Sequence, residues 1–135
     1  MWHMAHALVV DDDQPIRDAL RYLLEDAGHT VTECADGLAA LAALRAATTP
    51  LVALLDLMMP RMNGSQLLHA ISQDSILRAR HAYILLTANI RLMAPIIDGL
   101  PEEFATTLTI VHKPFQNDLL LLMVEQVGER LAARP

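Results

Sequence analysis

Apolar and polar positions along this chain switch repeatedly between two periods. "AHALVV" (5–10) is a short continuous apolar run, closed by "DDD" at 11–13. "QPIRDALRYLLEDAG" follows and sets Ile16, Leu20, Leu23, Leu24 and Ala27 on one helical face. Asp13 stands where an N-cap is wanted, Pro15 in the first turn and Gly28 at the C′ position. "HTVTECA" reads as a second strand, and "DGLAALAALRAAT" as a helix opened by Asp36. "PLVALLD" is apolar throughout until Asp56, as expected of a strand covered on both faces. "SQLLHAISQDS" predicts a helix, "HAYILLTA" a fourth strand and "LTIVH" a fifth. "QNDLLLLMVEQVGERLAAR" predicts a last helix, with Leu119, Leu120, Leu122, Met123 and Val127 in the core and Leu121 as the exposed exception. Residues 89–107 hold Pro95, Gly99 and Pro101 and show no clear period. A proline inside a helix removes a bond and crowds the preceding turn, so the helix after strand four is expected to be short, broken or displaced.

Five alternations of strand and helix predict an α/β domain with a parallel central sheet. Right-handed crossovers then place helices on both faces, and the functional crevice lies beyond the carboxyl ends of the strands. Strand one ends in Asp11, Asp12 and Asp13, strand three in Asp56, strand four in Thr87 and Ala88, and strand five in His112 and Lys113. Strand two ends in Cys34 and Ala35, with no comparable chemistry. If strands one, three, four and five are neighbours, several carboxylates, one hydroxyl and one ammonium converge on one rim.

Carboxylates that close repel one another and rise in pKa unless a cation joins them. All the candidate ligands are oxygens, which favours a hard cation, Mg²⁺ above all. Lys113 suits a phosphate oxygen or Asp56, and Thr87 offers a hydroxyl donor. A carboxylate can itself be the nucleophile and become an aspartyl phosphate. Taken alone, Asp56 is a turn starter, "DDD" a solvated helix start and Lys113 a surface charge. Their common register is what favours the functional reading.

Composition narrows the alternatives. The chain has 135 residues, 53% of them hydrophobic, which suits one domain with its own core and excludes an intrinsically disordered chain. Charged residues make up 19%, with a net charge of −6, so no basic footprint for nucleic acid or an anionic membrane is expected. No apolar stretch approaches about 18 residues, and the N-terminus has neither a basic start nor a cleavage site. Residues 1–4, "MWHM", read as appended sequence. The single cysteine, Cys34, is expected to be a buried reduced thiol in a cytoplasmic protein. His69, His81 and His112 are expected at the surface or at strand ends. Met58, Met59 and Met62 are expected to support packing and the loop, since no His or Cys joins them in a soft-metal set.

"LVVDDD", "LLDLMMPRMNG", "LLTA" and "HKPF", in this order at strand ends, resemble the receiver domains of bacterial two-component response regulators. The resemblance covers roughly residues 5–133. It implies a flavodoxin-like, doubly wound five-stranded parallel sheet of order 2-1-3-4-5. It implies Asp56 as phosphoacceptor, Asp12 as a direct Mg²⁺ (or Mn²⁺) ligand, Asp11 acting beside it, and the Met58 backbone carbonyl as a further ligand. Thr87, the Ala88 amide and Lys113 are implied to contact the phosphoryl group, and the Lys113–Pro114 bond to be cis. The implied donor is a sensor histidine kinase or a phosphotransfer protein. The implied output is a downstream protein target or an effector domain beyond this chain, with a homodimer through the face of the helix after strand four, strand five and the last helix as a further expectation. The implied role is a switch that supports its own phosphotransfer and slow autodephosphorylation, since the Met58 side chain cannot orient an attacking water, although Asn89 could.

Two departures stand out. Ile110 occupies the position, three before the lysine, where the family often has an aromatic residue. Residues 89–107 are unusual for the output side of the domain. These departures leave open an interaction module that keeps the fold without phosphate, and the Asp11-x-Asp13 spacing separately raises an aspartyl hydrolase. The hydrolase pattern fits poorly, because Pro15 occupies a position that commonly follows its Asp-x-Asp pair. The chain as a whole, 1–135, is read as one receiver domain with no effector domain present.

Overall fold

A computed structural model describes residues 4–59 and 61–135. Pro60, expected to help shape the loop after strand three, lies outside the described residues, as do the first three residues of "MWHM". Strands β1 (His6–Val10), β2 (Thr30–Cys34), β3 (Val52–Asp56), β4 (Ala82–Thr87) and β5 (Thr109–His112) alternate with seven helices among the described residues. These are α1 (Gln14–Asp26), α2 (Gly37–Ala46), α3 (Gly64–Ser72), α4 (Ser75–Arg80), α5 (Ile90–Asp98), α6 (Glu102–Ala105) and α7 (Asn117–Ala132). The strands form one sheet of order β2-β1-β3-β4-β5, and every pairing is parallel. The fold is the doubly wound, flavodoxin-like arrangement expected.

Alternation along the strands divides the core. Leu8, Val10, Ala53, Leu55, Tyr83 and Leu85 face a layer that includes α2 and α3. Ala7, Val9, Val52, Leu54, Ile84 and Leu86 face α1 and α7 on the other side. β3 and β4 are therefore apolar at consecutive positions because both faces are covered. Cys34 is a free, buried thiol, and burial pushes its pKa up. No helix among the described residues is long and apolar enough to cross a membrane.

Several local expectations are corrected. In α7 the buried face is Leu120, Val124, Val127 and Leu131, while Leu119 and Leu122 are exposed and Leu121 packs partly against the core. Four successive leucines carry no phase information, and Val124, Val127 and Leu131 set the helix's rotation. Ile16 is likewise exposed. Asp13 occupies the α1 N-cap position but its side chain makes no capping bond. The segment "QDS" does not extend α3, because Asp74 opens the separate helix α4 by accepting the Ile76 and Leu77 N–H groups. The helix after β4 is broken, as expected, into α5 and the four-residue α6. The break falls at Gly99–Pro101, while Pro95 sits within α5.

His81 stands at a strand end, immediately before β4, but is fully buried rather than at the surface. Its Nδ1 accepts the Leu51 N–H at 3.0 Å, which leaves Nε2 to donate to the Leu44 carbonyl at 2.9 Å. The ring satisfies two backbone groups on the segments that lead into β3, a task invisible in the local sequence. Burial holds its pKa below 6.5, with Arg80 and Arg134 adding to the effect. A histidine kept neutral in the fold protonates more readily when unfolded, so its contribution is present above about pH 6.5 and fades below it. Stability in urea is expected to fall as pH drops from 7 toward 5.5. His81→Leu is expected to cost about 2–4 kcal/mol at neutral pH by orphaning two buried backbone groups, and to flatten that pH dependence.

Candidate functional site

Sheet register builds the site. Val10 pairs with Leu55, so Asp11 and Asp56 leave adjacent strands side by side. Asp56 pairs with Leu86, and Thr87 with His112. Thr87 therefore emerges one step beyond Asp56, and Lys113 one step beyond Thr87's partner. The Lys113 N–H donates to the Thr87 carbonyl at 2.7 Å, which continues the ladder past the strand end. The Lys113–Pro114 bond is cis.

Oxygens of Asp11, Asp12 and Asp56 lie within 4.8 Å of one another. Asp11 is buried, Asp56 half-buried and Asp12 exposed. Lys113 Nζ lies 3.7 Å from Asp11 Oδ2 and 3.9 Å from Asp56 Oδ1. Asp11 Oδ1 accepts the Asp13 N–H at 2.9 Å, which ties the carboxylate to the start of α1. Asp11 Oδ2 is buried with no hydrogen-bond partner. Burial raises the Asp11 pKa, and the Asp56 and Asp12 charges add to that; the Asp13 N–H bond and Lys113 pull the other way. A buried carboxylate oxygen that has the Lys113 charge nearby but no hydrogen bond, beside two further carboxylates, has the donor chemistry of a hard-cation site.

Around this centre the loops supply further groups. The Met58 N–H donates to Asp56 Oδ1 at 3.2 Å, while Met58 itself is 69% exposed and lines the cleft beside the acceptor. The Thr87 hydroxyl donates to the Asn89 carbonyl at 3.1 Å and accepts the Asn89 N–H at 3.0 Å. Asn89 Oδ1 is spent on the Arg91 N–H at the start of α5. A cleft of about 540 Å³ opens here, with Asp56, Thr87, Ala88 and Lys113 beside Met58, Leu92 and Ile96. Asp11, Asp12, Asp56, Thr87, Ala88 and Lys113 thus converge on one rim, with Asp13 contributing only its backbone; His112, exposed at the end of β5, is not among the residues lining the cleft. The apolar wall from Leu92 and Ile96 has no signal in the sequence, because residues 89–107 show no clear period. Ile110, in β5, is 40% exposed.

A sequence model of the response regulator receiver domain matches residues 7–125. The chain belongs to the response regulator receiver domain family. This receiver domain is 35% identical over 130 residues to the transcriptional regulatory protein CseB of Streptomyces avermitilis, covering 96% of this chain and 52% of that protein. The chain thus spans about half the length of that curated relative. A CheY-like receiver domain protein from Methanospirillum hungatei superimposes with a TM-score of 0.76 at 26% identity, covering 94% of this chain and 96% of the other. The chemotaxis protein CheY4 of Vibrio cholerae does so at 0.75 and 28% identity, covering 93% and 99%. Receiver domains of this family are signalling switches in two-component systems rather than classical enzymes.

The raised Asp11 pKa has a thermodynamic sign. A carboxyl harder to ionise in the fold than in the unfolded chain destabilises the fold as pH rises through its folded pKa. Asp11→Asn keeps an oxygen for the Asp13 N–H and removes the charge. Without divalent cations it is expected to raise Tm by about 3–5 °C at pH 7.5, an effect on the order of 1 kcal/mol, measured by calorimetry in chelator. A lower Tm would contradict this account of the carboxylate.

Proposed function

We propose that this receiver domain accepts a phosphoryl group on Asp56 from the phosphohistidine of a sensor kinase or phosphotransfer protein. The observation that carries this reading is the convergence of Asp11, Asp12 and Asp56 within 4.8 Å, with Lys113 Nζ beside both Asp11 and Asp56. Asp11, Asp12, Asp56 and the Met58 carbonyl would hold Mg²⁺ (or Mn²⁺), which when bound neutralises charge on the phosphoryl oxygens. An Asp56 carboxylate oxygen attacks phosphorus in line, the P–N bond of the donor breaks, and the imidazole leaves with the bonding pair. Lys113 moves from its shared position between two carboxylates to a phosphoryl oxygen. The Ala88 N–H and the Thr87 hydroxyl supply neutral donors on the other side.

Recruiting Thr87 has a structural consequence. Its hydroxyl is given to the Asn89 carbonyl in this state, so turning it toward a phosphoryl group withdraws a bond from the N-terminus of α5. Phosphate then biases a two-state equilibrium at the face of α5, β5 and α7, through which a protein target, a second copy or an effector domain is engaged. With Ile110 on that face, the readout proceeds without an aromatic rotamer at this position. The cytoplasm is the compartment that fits such a donor.

Incubation with Mg²⁺ and acetyl phosphate, followed by intact-protein mass spectrometry, is expected to show one added phosphoryl group. Asp56→Asn should abolish it, and Lys113→Ala should slow its formation by about 100-fold. An adduct that persists in Asp56→Asn overturns the assignment. The bare Met58 side chain predicts a long-lived adduct, so Met58→Asn is expected to lose phosphate faster; an equal or slower loss contradicts this.

A further inference from the structure

The loop between β3 and α3, which carries Met58, is anchored twice. At its mouth the Gly64 N–H donates to the Leu57 carbonyl at 3.1 Å. A side chain at Gly64 would meet the Leu57 Cα at 2.6 Å, so the two ends of the loop are in contact. At its crest Arg61 and Met62 both adopt left-handed backbone, with φ of 43° and 68°. Non-glycine residues hold such φ values only where their surroundings enforce them.

The first turn of α2 does so here. Arg61 Nη2 pairs with Asp36 Oδ2. The Met62 carbonyl lies so close over Gly37 that a Cβ there would approach its oxygen to 2.1 Å. Asp36 is buried, and its other oxygen caps α2 by accepting the Ala39 N–H at 2.8 Å. That bond above all, with the Arg61 guanidinium adding to it, holds the Asp36 carboxyl below the usual carboxylate range. Asp36 therefore meets Arg61 as an anion at neutral pH. Asp36, Gly37, Arg61 and Met62 are not among the residues lining the acceptor cleft or forming its acidic cluster; they act on the loop that leaves Asp56.

We infer that Asp36, Gly37 and Arg61 form a latch that fixes the crest of the β3–α3 loop on α2 and so positions the Met58 backbone for cation binding beside Asp56. The inference rests on the acceptor-site reading and deepens it. Asp36 and Arg61 are positioning residues. The latch also joins α2, on one face of the sheet, to the loop at the acceptor, so that loosening either loosens both.

Mn²⁺ is the probe, with free Mn²⁺ counted by electron paramagnetic resonance against the metal-free full chain. This readout needs no phosphoryl transfer. The variants are Asp36→Asn, Arg61→Gln, their combination, and Gly37→Ala. Asparagine caps helices as well as aspartate does, so α2 keeps its start. A latch and a simple charge field predict different signs. Through the field alone, removing an anion weakens Mn²⁺ binding and removing a cation tightens it. Through the latch, both single changes weaken binding, by about tenfold each, and the double change is no worse than the weaker single variant. Gly37→Ala should weaken binding at least as much, by pushing the Met62 carbonyl away. Thermal melts confirm that each variant is folded at the assay temperature; if Gly37→Ala is not, the Asp36 and Arg61 pair carries the comparison. Opposite signs for the two singles, or wild-type affinity in both, overturn the latch while leaving the acceptor reading intact. A wild-type chain that binds no Mn²⁺ overturns the metal site and the latch together.

Discussion

Asp11 brings a carboxylate to the rim of a parallel sheet, buries it, and leaves one of its oxygens without a hydrogen-bond donor. In a protein interior such an oxygen costs free energy of a few kcal/mol unless something neutralises it. Lys113 stands near, but it is shared with Asp56, and neither separation is that of a hydrogen bond. The arrangement therefore makes sense as a place held open for positive charge. Much of the surrounding structure follows from keeping it open without collapse or repulsion. The Asp13 N–H restrains Asp11 from one side, and the Met58 N–H restrains Asp56 from the other.

The sheet makes this possible because its register is set far from the rim. Apolar pairs such as Val10–Leu55 and Leu55–Leu85 lock three central strands together, and burial on both faces forbids a one-residue slip. A slip would take Asp56 out of line with Asp11 and Thr87 and turn the apolar side chains of β3 onto the wrong layers. The polar rim is thus positioned by apolar residues, and the two parts of the molecule have separate tasks. The core supplies stability and the rim supplies an electrostatic imbalance that a ligand can correct. Binding that corrects it can shift the β4–α5 loop, because the Thr87 hydroxyl that would turn toward a ligand is the group that both donates to and accepts from Asn89.

Much of this was legible in the sequence, for identifiable reasons. Asp11, Asp12, Asp56, Thr87 and Lys113 each end an apolar run, and in a parallel sheet all strand ends of one sense meet at one edge. Asp36 as the α2 cap was readable from its place before a helical pattern. What escaped was whatever depends on partners distant in sequence. His81 looks like a strand-end residue until Leu44 and Leu51 are brought to it. Arg61 stays largely exposed, and its partner Asp36 can be named only once α2 is laid beside the loop. The rotation of α7 could not be read from "LLLL", because an unbroken apolar run has no phase. Residues 89–107 resisted because two short helices, each below the length at which periodicity shows, are separated by Gly99, Leu100 and Pro101.

Burial raises the pKa of the Asp11 carboxyl, and a cation at the acidic cluster would lower it again. The most direct measurement is the carboxyl ¹³C titration of Asp11 by NMR, run with chelator and again with saturating Mg²⁺. The expected result is an Asp11 pKa above 3.8 in chelator, falling sharply when Mg²⁺ is added. An Asp11 that titrates as an ordinary surface aspartate in chelator, with no response to Mg²⁺, would contradict it.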